Sequence, residues 1–139
     1  MTKISIVDLE FITFRLTKEL IVYQEPIPDF STRFPNILES CLLVPFQEFA
    51  KKSLYQGLIG QATILFYLMI KNHPFQNGNK RIALTSLLVL LYKNNKWLKV
   101  NNKKLYDFTI QVAASPGKSK KETLQIIEHF LKTYLVDLE

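Results

Sequence analysis

Apolar positions along this chain recur three and four residues apart, and no long stretch alternates strictly between apolar and polar residues. That periodicity predicts helices. Ser5 stands before Ile6 with Asp8 three residues on, the pattern of a capping box. Leu9, Ile12, Phe14 and Leu16 then give a first helix its apolar side, to about Leu20. Pro26 and Pro28 make Tyr23 to Ser31 an extended loop. Ser31 or Thr32 opens a second helix through Ile37, Leu38 and Leu42, which Pro45 stops. From Phe46 to Tyr55 the helical pattern fails, so a short hairpin, flap or loop is expected there. A third helix runs from about Tyr55 to Asn72 and is ended by Pro74, because the residue before a proline is pushed out of the helical region. A fourth spans about Asn79 to Tyr92, and a fifth about Lys103 to Ala114, broken by Ser115-Pro116-Gly117. A sixth is capped by Ser119, with Glu122 at the box position, and reaches about Val136.

The third and fourth helices are apolar on nearly every side, which places them at the centre of a bundle. The expected architecture is all-α: one compact domain over residues 1–139, with about six helices. The short loop between the two central helices is anchored at both ends and is a rigid place to build a site.

Composition narrows the possibilities. Hydrophobic residues make up 47% of 139 residues and charged residues 22%, as in an ordinary globular domain. The single cysteine, Cys41, excludes a disulfide scaffold, suits a reducing cytoplasm and reads as a core residue. One Cys and two His, His73 and His129, are too few for a zinc site. His129 reads as an ordinary residue of the last helix. The apolar runs Leu58 to Ile70 and Ile82 to Leu91 fall short of the ~20 residues that span a bilayer. The acidic residues near the N-terminus come too early for a signal peptide. A cytoplasmic protein with no membrane partner is expected. The 18 Lys+Arg against 12 Asp+Glu leave +6 and raise the question of an anionic partner. Nucleic acid is disfavoured, since neither a helix-turn-helix nor an aromatic-basic RNA motif is present.

The connecting loop reads His73-Pro74-Phe75-Gln76-Asn77-Gly78-Asn79-Lys80-Arg81. A helix N-terminus carries about +0.5 charge, and acidic residues belong there. Lys80 and Arg81 occupy that first turn instead. A bound anion, phosphate above all, resolves the conflict. Gly78 lets the backbone approach a ligand or take positive φ. Asn77 and Asn79 add amide donors and acceptors, and Phe75 is expected to turn inward and pin the loop. Histidine titrates at about pH 6.5 in water, so His73 is a natural general base beside such a pocket. Together these residues point to phosphoryl or nucleotidyl transfer.

The loop resembles the signature of the Fic/Doc family, and more narrowly its Doc (death-on-curing) branch. The Fic pattern is His-Pro-Phe, two residues of which the second is acidic, Gly-Asn-Gly-Arg, then a second Arg three further on. Doc proteins carry Lys in place of that second Gly and lack the second Arg; here Lys80 and Leu84 stand at those positions. The similarity extends from about Phe34, through Leu38-Glu39-Ser40 and Pro45, to about Trp97.

The resemblance implies a helical bundle with a β-hairpin flap over the site, within Phe46 to Leu54, where Phe49, Lys51, Lys52 and Ser53 would dock the target. It implies a toxin acting as a kinase, which moves phosphate from ATP to a threonine or serine of a target protein, elongation factor Tu, and so halts translation. It also implies a Phd-like antitoxin partner. His73 would deprotonate the target hydroxyl, Phe75 would anchor the loop, and Gly78, Asn79, Lys80 and Arg81 would hold the nucleotide phosphates. At the position of Asn77 the family carries an acidic residue that ligates Mg²⁺, for which a neutral amide oxygen is a weaker ligand. AMP transfer of the Fic type and a non-enzymatic binding module are the alternatives. No glutamate has Ser or Thr four residues before it, so the self-inhibitory helix of Fic relatives is not expected.

Overall fold

The computed structural model describes residues 2–20 and 26–138. The expected six-helix bundle is what forms. Helix α1 is built from Ile6–Asp8, a π-helical stretch Leu9–Thr13, and Phe14–Leu20. It is followed by α2 (Pro35–Leu43), α3 (Gly57–Lys71), α4 (Asn79–Lys93), α5 (Asn102–Ala114) and α6 (Lys120–Tyr134). Strands β1 (Glu48–Phe49) and β2 (Lys52–Ser53) pair as an antiparallel hairpin. Strands β3 (Lys96–Leu98) and β4 (Leu135–Asp137) form a second antiparallel pair, with Trp97 opposite Val136. Among the described residues no helix is long and apolar enough to cross a membrane.

Helices α3 and α4 form the centre. Every residue from Gln61 to Ile70 is buried, and so is nearly all of α4 from Arg81 to Leu91. Helix α6 packs along α3 through Ile127 and Leu131, while α5 contributes Leu105, Phe108 and Val112. A stack of rings, Phe66 on Phe108 (5.9 Å) and Phe108 on Phe130 (3.9 Å), joins α3, α5 and α6. Lys71, at the end of α3, donates from Nζ to the carbonyls of Ala113 and Ser115 and so neutralises the negative end of α5.

The capping box of α1 forms as expected: Asp8 N–H donates to Ser5 Oγ and Ser5 N–H to Asp8 Oδ2. The apolar face differs from the periodic reading. Leu9, Thr13, Phe14 and Thr17 are buried, whereas Ile12 is exposed and Leu16 half-buried. The π-helical stretch adds a residue to one turn, so the positions after it rotate onto the core.

Two boundaries move and one expected cap does not form. Helix α2 opens at Pro35 rather than at Ser31 or Thr32, because Pro35 holds Phe34 extended and suits the first helical position. Phe30–Thr32 is instead a separate 3₁₀ turn, whose Ser31 N–H donates to the Asp29 side chain. Ser119 makes no side-chain cap: it follows a 3₁₀ turn at φ −102°, ψ 30°, outside the extended conformation that aims a hydroxyl back at the helix. The last helix stops at Tyr134, because Leu135–Asp137 is drawn into the ladder with Lys96–Leu98. The part of the expected Tyr23 to Ser31 loop that precedes Pro26 lies outside the described residues.

Candidate active site

The site is the α3–α4 connection. Asn72 closes α3 by donating its N–H to the Leu68 carbonyl. His73 follows in the left-handed region at φ 48°, with its side chain exposed. Pro74 is buried, and its carbonyl accepts the N–H of Phe34 at 2.9 Å. Phe75 is 1% exposed and packs its ring on Phe14 (5.0 Å) and Phe30 (6.3 Å), so it pins the loop as expected.

Asn79 does more than the sequence indicated. Its side chain is buried, accepts from Phe75 N–H at 3.0 Å and donates to the Phe75 carbonyl at 2.9 Å. This reciprocal pair ties the loop into a closed turn, so the side chain of Asn79 holds the loop's shape.

Gly78 caps α4 at φ 72°, a left-handed conformation that favours glycine. A Cβ there would lie 3.0 Å from both Ile27 Cδ1 and the Pro26 carbonyl oxygen. The hydrogen-bond ladder of α4 begins with Ile82 N–H to the Gly78 carbonyl. The first-turn N–H groups, at residues 79–81, therefore lie at the positive end of the helix.

The two cations in that turn are not equivalent. Lys80 is half-buried. Arg81 is buried and donates from Nη2 to the Thr17 carbonyl of α1 at 2.9 Å, so part of its guanidinium anchors α1 to the site. The Thr17 hydroxyl in turn donates to the Thr13 carbonyl.

Sequence reasoning missed the segment that backs the loop. Residues 26–34 run against it as a strap: Phe34 meets Pro74, Phe30 meets Phe75, and Pro26 to Pro28 press on Gly78. Arg33 stacks its guanidinium on the Phe30 ring at 4.4 Å. The available signals were the stiff Pro26 and Pro28 and the small size of Gly78, but nothing local pairs them.

The expected hairpin is present. Ala50 (φ 52°) and Lys51 (φ 66°) make its turn, both at positive φ as in a type I′ turn. Phe49 is 75% exposed, Lys51 and Lys52 are exposed, and Ser53 is half-buried. The hairpin precedes α3 whereas His73 follows it, and that helix of 15 residues is about 22 Å long. Cys41 is buried, and burial pushes its thiol up to about 11, which suits an inert core residue. His129 is exposed on α6.

Mg²⁺, implied by the resemblance, is not matched by the residues present. The Oδ1 of Asn77 is shut away from solvent and has no hydrogen-bond partner. Magnesium binds through carboxylates and phosphates and keeps several of its waters. A neutral oxygen that water does not reach does not suit a hydrated ion. Among the described residues no group of His, Cys, Asp and Glu is arranged to hold a metal.

The family model of the Fic/DOC family matches residues 8–91, more than half of the chain. The chain belongs to the Fic/DOC family. Members generally transfer nucleotide or phosphate groups onto proteins. Neither a search of curated proteins nor one of solved structures finds a match.

Proposed function

We propose that the protein is a Doc-type kinase toxin, which transfers the γ-phosphate of ATP to a threonine or serine hydroxyl of a target protein, elongation factor Tu. The observation that carries this reading is the pair of positions separating Doc from Fic sequences. Lys80 stands in the first turn of α4, and Leu84, one turn on, is only 3% exposed and belongs to the core. Leu84 supplies no second guanidinium for an AMP-transfer pose.

In this mechanism His73 takes the proton of the target hydroxyl. The hydroxyl oxygen bonds to the γ-phosphorus as the bond from that phosphorus to the β–γ bridging oxygen breaks, and ADP leaves. Lys80 and the N-terminal end of α4 stabilise the charge on the transferring group. Arg81, held from behind by Thr17, fixes that first turn. Phe75 and Asn79 keep the loop in one conformation, which is where most of the catalytic advantage of a positioning enzyme arises. The exposed hairpin residues Phe49, Lys51, Lys52 and Ser53 dock the target. A Phd-like antitoxin, acting in the cytoplasm, silences the enzyme.

The test is incubation with elongation factor Tu and ATP labelled at either the α- or the γ-phosphate. Kinase activity puts γ-label on the factor and none from the α-phosphate, and His73→Ala lowers the rate by about 10²–10⁴. Transfer of α-label instead would establish AMP transfer and overturn the kinase reading.

A further inference from the structure

We infer that the phosphate pocket of this chain takes a nucleotide without a divalent ion held by the protein. The inference rests on the reading of the α3–α4 loop as a phosphate pocket.

The argument begins with charge. Every described ionic element of the loop is positive: the N-terminal end of α4, Lys80 and Arg81. A carboxylate among them would repel a polyphosphate across a few ångströms in a medium that screens less than water, and only a bridging cation would make the two compatible. Asn77 removes that repulsion, because a neutral amide needs no counter-ion between itself and the phosphates. The strap supplies no substitute: Asp29 is occupied by the N–H and hydroxyl of Ser31 (2.9 and 2.8 Å), which hold its carboxyl below the ordinary range.

Geometry points the same way. Asn77 Oδ1 is buried and unpartnered, so it faces protein rather than the solvent side from which a hydrated ion would approach. A magnesium ion would have to shed water and displace packed atoms to reach one uncharged oxygen, against its strong preference for its own hydration shell. Direct contacts from N–H groups and cations are the alternative that needs no metal, and they are what a helix N-terminus offers.

Calorimetric titration of ADP into the whole protein, once in EDTA and once in excess Mg²⁺, tests the inference. The two dissociation constants should agree within about twofold for the wild type. Asn77→Asp should separate them by about tenfold or more, binding tightly with Mg²⁺ and weakly in EDTA. Lys80→Ala should weaken binding in both buffers. A wild type that binds ADP in Mg²⁺ but loses it in EDTA overturns the inference and leaves the phosphate pocket standing. Failure to bind ADP in either buffer overturns the pocket, and the inference with it. Should Asn77→Asp fold poorly, the wild-type comparison alone decides.

Discussion

Replacing Gly78 with alanine tests how tightly the strap sets the loop. Two penalties combine. At φ 72° a residue with a Cβ is in the left-handed region, which costs about 1–2 kcal/mol. The new methyl would also sit 3.0 Å from Ile27 Cδ1 and from the Pro26 carbonyl oxygen. Ile27 Cδ1 is the far end of a flexible side chain and can turn away, but the carbonyl belongs to backbone held between two prolines. Overpacking of this kind costs about 1–3 kcal/mol. The protein carries its own control in Gly57, at φ 69° with nothing within 4 Å of an added Cβ. Gly57→Ala should therefore lose only the backbone penalty, about 1–2 kcal/mol, and Gly78→Ala about 2–5 kcal/mol. Urea unfolding followed by circular dichroism measures both. The double variant Ile27→Ala/Gly78→Ala should recover part of the difference, as expected of residues in contact. Gly78→Ala should also weaken ADP binding by about tenfold, since moving the loop by a few tenths of an ångström disturbs the first-turn N–H groups. Equal destabilisation by the two glycine replacements would refute the idea that the strap presses on the loop.

Phe75→Ala should cost about 3–5 kcal/mol in the same unfolding experiment, because the ring is fully buried between Phe14 and Phe30. A loss under about 1 kcal/mol would mean that the loop is not pinned through this ring. Asp8 gives a pH-dependent outcome. Burial pushes its carboxyl up, but Lys93 and the Ser5 donors outweigh that and hold it below its ordinary value. A carboxyl lowered on folding contributes stability above its unfolded value of about 3.9, and that contribution is lost as pH falls through the folded value. Asp8→Asn should therefore be less stable than the wild type at neutral pH, with the gap closing in acid; a constant gap in the urea midpoint would contradict this.

The helices were legible because the core is written locally. Buried residues fill α3 and α4 almost completely, and Pro45, Pro74 and Pro116 punctuate the chain where helices must stop. The departures are places where distant or collective geometry decides. The π-helical turn exchanges Ile12 and Leu16 for Thr13 and Thr17 in the core, and a periodic count has no means of seeing one extra residue in a turn. Leu135–Asp137 reads as the end of a helix until its partner, Lys96–Leu98, is in place. Within the candidate site, the loop His73 to Arg81 and the inward turn of Phe75 were legible because they lie in one contiguous stretch. The strap was not, since contacts such as Phe34 with Pro74 join parts of the chain far apart in sequence.

What the strap and the π-helical turn accomplish together is to hold His73, the proposed general base, where an ordinary loop would not leave it. Any residue other than glycine at φ 48° is under strain of about 1–2 kcal/mol, and a free connection over residues 72–78 would relax it. Here relaxation is opposed on each side of His73. Asn72 is bonded back into α3, the carbonyl of Pro74 is held by Phe34, and the ring of Phe75 is locked between Phe14 and Phe30. Asn79 then closes the turn on both polar groups of Phe75, and Arg81 fastens the start of α4 to the Thr17 carbonyl that follows the widened turn of α1. The strain thus falls on the one residue whose imidazole, in the proposed reaction, meets an incoming hydroxyl, while Pro74 and Phe75 after it are buried. That division, an exposed and strained His73 on a loop pinned through Phe75 and Asn79, would preorganise the proposed base before a target arrives.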